Sequence, residues 1–203
     1  PGLSPTAFTY ELEHLASVTQ AGRTTSYAYD DAGNLASVTD ALSQTTSFGY
    51  DLAGRRTSTT RPDGEVILMT YDPMGNVTSV TPPGQPAHVF TYTPVNLVES
   101  YSAPPPAPGE LPSTTTYAYD LDRKLTGVTR PDGSLIAYGY DAIGRLQSIT
   151  HPSLGVLSYA YDPQGRLATI GGPDGVLVTH GYDGHLLTDV AWSGAITGAF
   201  HRD

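Results

Sequence analysis

Tyrosine recurs along this chain at a nearly fixed interval, and that interval limits what the chain can fold into. The repeated tyrosines are Tyr10, Tyr29, Tyr50, Tyr71, Tyr92, Tyr119, Tyr140, Tyr161 and Tyr182. The steps between them are 19, then 21 three times, then 27, then 21 three times. A short, regular period of this kind indicates a repeat protein, in which each unit contacts mainly its neighbours.

Each repeated tyrosine ends a short stretch in which large and small side chains alternate. Two residues before it most repeats carry another ring, such as Tyr27, Phe48 or Tyr159, and the residue between is small or threonine. A period of two predicts a β-strand with one face of rings and one thinner, more polar face. We expect ring–ring contacts between adjacent hairpins to supply most of the stabilisation.

A turn follows each strand, as in the segments "YDLAGR" and "YDAIGR". The aspartate can accept hydrogen bonds from backbone N–H groups further along the turn, and the glycine supplies the positive φ that closes a short hairpin. The turn aspartates are Asp30, Asp51, Asp72, Asp120, Asp141, Asp162 and Asp183, and the turn glycines are Gly33, Gly54, Gly75, Gly144 and Gly165. Asn96 and Arg123 replace the glycine in two repeats. Asparagine tolerates positive φ, so Arg123 alone predicts a different or strained turn.

A second strand and a second turn complete each period. In the segment "NLASVTD" the apolar residues Leu35 and Val38 have opposite parity, which predicts either a β-bulge or a strand that begins after the leucine. The segments "RPDG" at Arg61 and Arg130 and "GPDG" at Gly172 then have the residues of a tight turn. The sequence therefore predicts an all-β repeat protein of stacked antiparallel hairpins.

The single long step contains the proline-rich segment "SAPPPAPGELPS", residues 102–113. The repeat resumes in the same register after it, so we interpret this segment as a loop insertion and not as a domain boundary. We assign residues 1–203 to one repeat region. Both ends of the chain fall within the pattern, which predicts a fragment of a longer protein.

Composition and charge argue against several classes of partner. The formal net charge is -10, and an acidic chain repels phosphate backbones, so we expect no nucleic-acid partner. The absence of cysteine excludes disulfides and thiolate metal sites. No apolar run approaches the roughly 20 residues of a membrane helix, so we expect no membrane span.

Candidate catalytic and metal-binding groups are better explained as parts of the repeat. A glycosidase needs two carboxylates placed across one sugar, whereas the turn aspartates are equivalent copies on successive repeats. His180 and His185 flank a turn with Asp183 between them, but no second cluster completes a metal shell. We therefore expect no catalytic residue, no metal site and no cofactor.

Together these motifs resemble the YD-repeat, or Rhs-repeat, family, whose pattern is roughly Y-D-x-x-G-R-L-x-x-V/I-T-x-P-D-G. The resemblance covers nearly the whole chain, and five of its units keep an intact Y-D-x-x-G. The family includes bacterial Rhs polymorphic toxins, the C component of insecticidal toxin complexes and, distantly, animal teneurins. The resemblance implies a curved β-sheet that spirals into a hollow shell. The segment "YDGHLLTDVAWSGAITG" resembles a variant repeat of bacterial shells, which favours a bacterial source.

The resemblance also implies a role for the chain. In the bacterial toxins the shell encloses an unfolded C-terminal toxic segment, which is released after self-cleavage by a closing segment that these 203 residues do not contain. The implied role is therefore structural wall and not enzyme, in a larger protein that is secreted or exposed at the cell surface. The implied partners are the protein's own C-terminal toxin segment, adjoining repeats, and secretion-system or toxin-complex components.

Two alternatives remain at the level of the sequence. Repeated tyrosines could stack on sugars, which would make the chain a carbohydrate-binding or cell-surface adhesion module. A β-propeller has four-stranded blades and predicts an alternation of roughly 42 residues, which the sequence lacks.

Overall fold

The computed structural model describes residues 4–107, 109–111, 113–194 and 197–201. Every helix or strand in those ranges is a β-strand, so the all-β repeat fold predicted from the alternation of side chains is confirmed. Contacts between Cα atoms divide the chain into two compact units, residues 1–113 and 114–203.

The first unit is an antiparallel sheet in which each strand pairs with the next one along the chain. Its strands are β1 (Thr6–Glu11), β2 (His14–Gln20), β3 (Arg23–Tyr29), β4 (Leu35–Thr39), β5 (Thr45–Tyr50), β6 (Arg56–Thr60), β7 (Val66–Tyr71), β8 (Val77–Thr81), β9 (His88–Tyr92) and β10 (Val98–Ala103).

The second unit repeats this arrangement, again with each strand antiparallel to the next, and its first strand begins one residue before the boundary between the units. Its strands are β11 (Ser113–Tyr119), β12 (Leu125–Thr129), β13 (Leu135–Tyr140), β14 (Leu146–His151), β15 (Gly155–Tyr161), β16 (Leu167–Gly171), β17 (Leu177–Asp183), β18 (Leu186–Ser193) and β19 (Gly198–His201).

Alternate turns of such a sheet lie at opposite ends of the strands. In each unit, we call the end that carries the turns after the repeated tyrosines the Tyr–Asp rim. The other end, the opposite rim, carries turns that include residues 40–44, 61–65, 130–134, 151–155 and 172–176.

A β-bulge explains why two apolar residues of opposite parity can share one face. Tyr29 pairs with Leu35 while Ala28 pairs with Ser37, so Ala36 is an extra residue in β4. Directly opposed residues lie on the same face, which places Leu35 with the rings. The same register shift occurs in all nine Tyr-marked hairpins, and the predicted bulge is thus confirmed.

Shorter turns account for the single step of 19 residues. Glu11 pairs with His14, and two residues with positive φ, Leu12 at 45° and Glu13 at 68°, form the turn between them. The next turn, at residues 21–22, is also two residues long and has positive φ throughout. Two consecutive residues with positive φ match the twist of the flanking strands and need no longer loop.

The sheet has no conventional core within the described residues, because none of their hydrophobic side chains is buried. The two faces nevertheless differ. In β7, Met69 and Tyr71 on the ring face are half-buried, while Leu68 and Thr70 on the other face are exposed. On that second face, hydroxyl groups bond across strands, as Thr91 does with Ser100 at 2.7 Å.

The proline-rich segment 102–113 begins in β10 and ends at the first residue of β11. Pro108 and Pro112 lie outside the described residues, and Leu111 is exposed. The boundary between the two units falls at the end of this segment. Its interpretation as a loop insertion within one repeat region, residues 1–203, stays a prediction.

Candidate functional site

The Tyr–Asp turns are the most regular feature of the structure, and each is closed by two backbone hydrogen bonds. The N–H of Asp141 donates to the carbonyl of Arg145, and the N–H of Gly144 donates to the carbonyl of Asp141, both at 2.9 Å. Gly144 has φ of 83°, a conformation that glycine adopts without steric cost. The same closure occurs at Asp30 and Gly33, Asp51 and Gly54, Asp72 and Gly75, and Asp162 and Gly165.

The aspartate side chain fixes the turn from within. Oδ1 of Asp141 accepts from the N–H groups of Ile143 and Arg145 at 3.1 and 2.9 Å, and Oδ2 accepts from Arg145 Nε at 2.7 Å. The arginine follows the turn glycine directly, so one carboxylate holds both the backbone and the next side chain. Asp51 and Asp162 bind Arg55 and Arg166 in the same way, Asp30 and Asp72 bind Asn34 and Asn76, and Asp120 accepts from the N–H of Lys124.

These bonds favour the ionised form of Asp51 and Asp141. The backbone N–H of Arg55, and then its side chain, hold the pKa of Asp51 below its usual value. The pKa of Asp141 is lowered chiefly by the backbone N–H of Arg145. A carboxylate in this state is a poor proton donor, and its lone pairs are directed into its own turn.

The residue after the turn position with positive φ also reaches the next repeat. The guanidinium carbon of Arg145 lies 4.3 Å from the ring centroid of Tyr161, within the range of a cation–π interaction. Arg55 lies over Tyr71 at 4.8 Å, Arg166 over Tyr182 at 4.5 Å, and Lys124 over Tyr140 at 5.7 Å. His14 stacks on Tyr29 at 4.5 Å in the equivalent place. Arg55 Nη1 additionally donates to the carbonyl of Asp72 at 2.7 Å.

The tyrosine hydroxyl completes the connection. Tyr161 donates to the carbonyl oxygen of Leu146 in the preceding hairpin at 2.9 Å. The pairing of β14 with β15 runs only from His151 and Gly155 to Ser148 and Ser158, so the side chain joins the strands beyond the end of their ladder. Equivalent bonds join Tyr50 to Leu35, Tyr71 to Arg56, Tyr92 to Val77, Tyr140 to Leu125, and Tyr182 to Leu167.

We call this set the inter-repeat joint: a turn aspartate, the residue after the turn position with positive φ, and the tyrosine of the next repeat. It corrects the expectation that ring–ring contacts join the hairpins. The ring pairs among the described residues are His14 with Tyr29, His88 with Tyr101, and Phe90 with Tyr101, and none of them joins two repeated tyrosines. The signal missed in the sequence was the 16-residue spacing from Arg145 to Tyr161, which recurs from Arg55 to Tyr71, from Lys124 to Tyr140 and from Arg166 to Tyr182.

The exceptional turns keep the common geometry at a cost. Asn96 and Arg123 have φ of 61° and 65°, and each donates its N–H to the carbonyl three residues earlier. The Arg123 turn is therefore strained rather than different, since a non-glycine residue occupies the left-handed region. Asp183 is the last residue of β17 and pairs with Leu186, because its turn is shorter.

The remaining positions singled out from the sequence are two repeated tyrosines and two histidines. Tyr10, in β1, is 65% exposed and pairs with Leu15. Partial burial, and then the neighbouring Tyr117, raise the pKa of Tyr119. His180 lies within β17, whereas His185 lies in the turn after it. Within the described ranges, no three histidine or acidic side chains are placed to hold a metal ion.

The part of the chain that the structure describes has no helix that could cross a membrane. A search of the curated proteins finds no match. Among solved structures, the crystal structure of TcdB2-TccC3-Cdc42 has 17% sequence identity and a TM-score of 0.71, with 93% of this chain and 12% of that chain covered. The Photorhabdus luminescens Tc holotoxin pore with the TccC3 mutation D651A has 17% identity and a TM-score of 0.34, with 94% of this chain and 15% of that chain covered.

The first of these similarities shows a shared fold, and this chain spans only about an eighth of that neighbour's length. The family model described as Teneurin YD-shell matches residues 1–201. This match confirms the resemblance to YD-repeat proteins that the Tyr–Asp motifs indicate. The chain is a shell-forming repeat module and belongs to the Teneurin YD-shell family.

Proposed function

We propose that this chain forms part of the wall of a hollow β-shell that encloses a C-terminal toxin polypeptide in a bacterial Rhs-type toxin. The observation that carries the proposal is the inter-repeat joint, which recurs in both units of a chain that belongs to a shell family. Within each unit the joint connects successive hairpins through contacts between neighbours alone, so further repeats can extend the same wall.

The source of stability supports a wall. Where hydrophobic side chains stay exposed or half-buried, stability must come from the strand ladders and from contacts between neighbouring side chains. Such contacts form between neighbouring strands of one sheet and do not require a second sheet or a helix packed on it. Both faces of the sheet are thus left free, one to face an enclosed chain and one to face solvent.

We propose that the chain itself is not an enzyme. The carboxylates that a glycosidase would need are ionised and bonded inside their own turns, as Asp51 and Asp141 are. The purified chain should therefore show no glycosidase, protease or nuclease turnover. Turnover that persists after a control preparation has excluded contaminants would contradict this part of the proposal.

The geometry of the rings favours a wall over a carbohydrate-binding module. Sugar binding by stacking needs a free ring face, and in four repeats a guanidinium or ammonium group covers one face of the tyrosine. The tyrosine hydroxyls are also committed to backbone carbonyls, as in Tyr140 and Tyr161.

The proposed partners follow from the proposed shell. They are the C-terminal toxin segment of the same protein, adjoining repeats, and secretion-system or toxin-complex components, in a protein that is exported from the cell or displayed on its surface. The similarity to a chain from the TcdB2-TccC3-Cdc42 crystal structure supports the fold that this role requires.

Protease protection tests the proposal. The open reading frame that contains this chain is expressed whole, digested with a broad-specificity protease, and examined by mass spectrometry for an intact C-terminal segment. We expect protection in the parent protein and its loss when Tyr140, Tyr161 and Tyr182 are all changed to alanine. Leu42→Ser, at an exposed turn residue, is the matched control and should keep protection. Equal digestion of the C-terminal segment in all three proteins would refute encapsulation.

A further inference from the structure

One turn of the opposite rim departs from the pattern of its neighbours. Residues 151–155 read "HPSLG", whereas the turns at residues 61–65 and 130–134 read "RPDGE" and "RPDGS". The change replaces a charged first residue by His151 and introduces Leu154 near the tip. In a repeat scaffold, a binding site is expected where one copy differs from the others.

Beside this turn lies a recess of about 450 Å³ on the ring face of the second unit. Its walls come from β13, β14 and β15 and from the turn between β16 and β17. Most of its lining is apolar, and it includes Ile136, Tyr138, Ile149, Leu154 and Leu157. A concave, mainly apolar site with a few polar groups is the usual form of a binding pocket.

Two lining residues show that the sheet leaves this recess unfilled. Leu157 is 39% exposed and Leu154 is 69% exposed. Ile67 and Val178 occupy the same position as Leu157 relative to their repeated tyrosines, and both are half-buried. An apolar side chain that stays exposed in a concave site retains the free energy of burial for an incoming group.

The repeat itself does not produce an apolar recess. In the first unit, the gap between the turns after β4 and β6 encloses about 650 Å³, and its lining includes Ser43, Gln44, Arg61 and Asp63. That gap is polar, although it has the same place between consecutive turns of the opposite rim. The apolar character in the second unit therefore comes from the residues of this one copy.

Close packing forms one end of the recess. Gly155 has φ of 87°, and a Cβ atom there would lie 2.6 Å from Cβ of Pro173 in the neighbouring turn. No residue larger than glycine fits without moving that turn. The two turns thus touch through glycine and proline, which fixes the width of the recess.

The polar side chains of the lining are those of Tyr138, His151 and Asp174. Nδ1 of His151 accepts from the N–H groups of Ser153 and Leu154 at 3.3 and 3.2 Å, so these bonds stay within its own turn. Asp174 is the acidic residue of the lining. Charge complementarity therefore favours a ligand with a cation next to its apolar part.

We propose that this recess binds one apolar side chain of a partner polypeptide, aromatic or branched, that is next to a basic residue. A small molecule is normally enclosed over most of its surface, whereas every lining residue here is exposed or half-buried. A polypeptide that passes over the sheet can place one side chain in the recess and its cation against Asp174, and its backbone stays outside. This inference is independent of the proposed encapsulation.

Nuclear magnetic resonance titration of the 203-residue chain tests the proposal with N-acetyl-Phe-Arg-amide as the probe. We expect saturable shifts of the Ile149 and Leu157 methyl signals with a Kd of about 1 mM, as for a single weak anchor. N-acetyl-Ala-Arg-amide should bind about tenfold more weakly, because it lacks the apolar group. N-acetyl-Phe-Glu-amide should bind at least about threefold more weakly, because it places a like charge beside Asp174.

Three variants separate the recess from general surface binding. Leu154→Ser should weaken Phe-Arg binding about tenfold, and Asp174→Asn about threefold. Leu42→Ser changes an apolar turn tip that is 75% exposed in the other unit, and it should leave the affinity unchanged. All three positions are exposed, so the variants should fold.

Two results would overturn the proposal. Unchanged affinity in Leu154→Ser, or shifts spread over both rims, would show that the peptide does not use the recess. Phenethylamine that binds as tightly as the peptide would show a site for small aromatic amines and not for a polypeptide.

Discussion

The turns at the two rims have the same backbone hydrogen bonds, but their side chains make different contacts. At the opposite rim, the Arg61 N–H donates to the carbonyl of Glu65 at 2.8 Å and the Gly64 N–H donates to that of Arg61 at 2.9 Å, the same closure as in a Tyr–Asp turn. There, however, Arg61 pairs with Glu65 of its own turn at 3.2 Å, and both side chains are exposed. At the Tyr–Asp rim, Arg145 reaches Tyr161 of the next hairpin.

Because of this difference, the sequence should be more constrained at the Tyr–Asp rim than at the opposite rim. Side-chain contacts between hairpins depend on the spacing of successive turns at the Tyr–Asp rim, so a substitution there affects more than one hairpin. Described side-chain hydrogen bonds at the opposite rim stay within one turn, as those of Asp40 and His151 do. A turn whose bonds are local can change composition without disturbing its neighbours. That is where the apolar recess occurs.

The largest expected effect comes from two residues at opposite ends of one strand, Tyr161 and Leu157 in β15. Tyr161→Ala removes the ring under Arg145 and the hydroxyl bond to Leu146, so it should lower the free energy of unfolding by about 3 kcal/mol. Leu157→Ala, at the opposite rim, should cost less than about 1 kcal/mol, because this side chain is already exposed. Urea unfolding of the two variants measures both values, and equal losses would remove the distinction between the rims.

Removing the hydroxyl alone should have a smaller effect. Tyr161→Phe keeps the ring under Arg145 but leaves the carbonyl of Leu146 without this donor, which should cost about 1 kcal/mol. Tyr159→Phe is the control, because the described bonds include none from the Tyr159 hydroxyl. A loss of similar size in both variants would indicate that the hydroxyl bond contributes nothing specific.

The sequence predicts the elements of this fold better than it predicts their connections. The alternation around each tyrosine, the turn pattern and the opposite parity of Leu35 and Val38 all act within one hairpin, and the strands, the repeat fold and the bulge were found as expected. The joint between hairpins was missed because it depends on the register of one hairpin against the next. Local periodicity describes an aromatic face but does not show that Arg145 covers Tyr161.

The apolar recess could not be predicted for a related reason. Leu154 and Leu157 are ordinary residues in sequence, and their exposure depends on how the turn at Pro173 packs against Gly155. The sequence does show that "HPSLG" departs from the repeat. It does not show that the departure leaves a cavity rather than a filled contact.

A substitution in the strained turn of the Tyr–Asp rim should raise the free energy of unfolding, unlike the variants above. Arg123 has φ of 65°, and its turn is closed by the same backbone bonds as a glycine turn. Arg123→Gly should therefore raise the free energy of unfolding by about 1 kcal/mol, through relief of left-handed strain. Thermal unfolding of the variant gives the sign directly. A loss of stability would show that the arginine side chain makes a contribution larger than its backbone strain.

Alanine substitution at two turn glycines of nearly equal φ, one at each rim, compares how well the two rims tolerate a Cβ atom. Gly144 at the Tyr–Asp rim has φ of 83° and Gly133 at the opposite rim has φ of 81°, so alanine should be strained equally at both. A Cβ at Gly144 would also lie 2.9 Å from Cε and Nζ of Lys124, which covers the Tyr140 ring, whereas a Cβ at Gly133 meets nothing within 4 Å. Gly144→Ala should therefore be the more destabilising by about 0.5 kcal/mol. Equal losses in urea unfolding would show that the lysine moves aside freely.

Acid titration should give the smallest difference between the rims. The pKa of Asp141 is lowered chiefly by the Arg145 backbone N–H, and the pKa of Asp132, at the opposite rim, is lowered chiefly by Ser134, whose N–H donates to Oδ1 at 2.8 Å. A carboxyl whose folded pKa lies below its unfolded value of 3.8 binds protons more readily in the unfolded chain. Its contribution to stability is therefore complete above the unfolded pKa, and it is lost as the pH falls through the folded pKa.

Asp141→Asn removes this titration. The variant should be less stable than the parent at pH 6, and the gap between their melting temperatures should narrow as the pH falls below 3.8. For Asp132→Asn the gap in melting temperature should also narrow, but by less, because Asp141 additionally binds a guanidinium that reaches the next repeat. Melting temperatures between about pH 6 and 2.5 measure both gaps. A gap for Asp141→Asn that stays constant with pH would mean that the carboxylate stabilises its turn by shape alone, and the ionic part of the joint would then be absent.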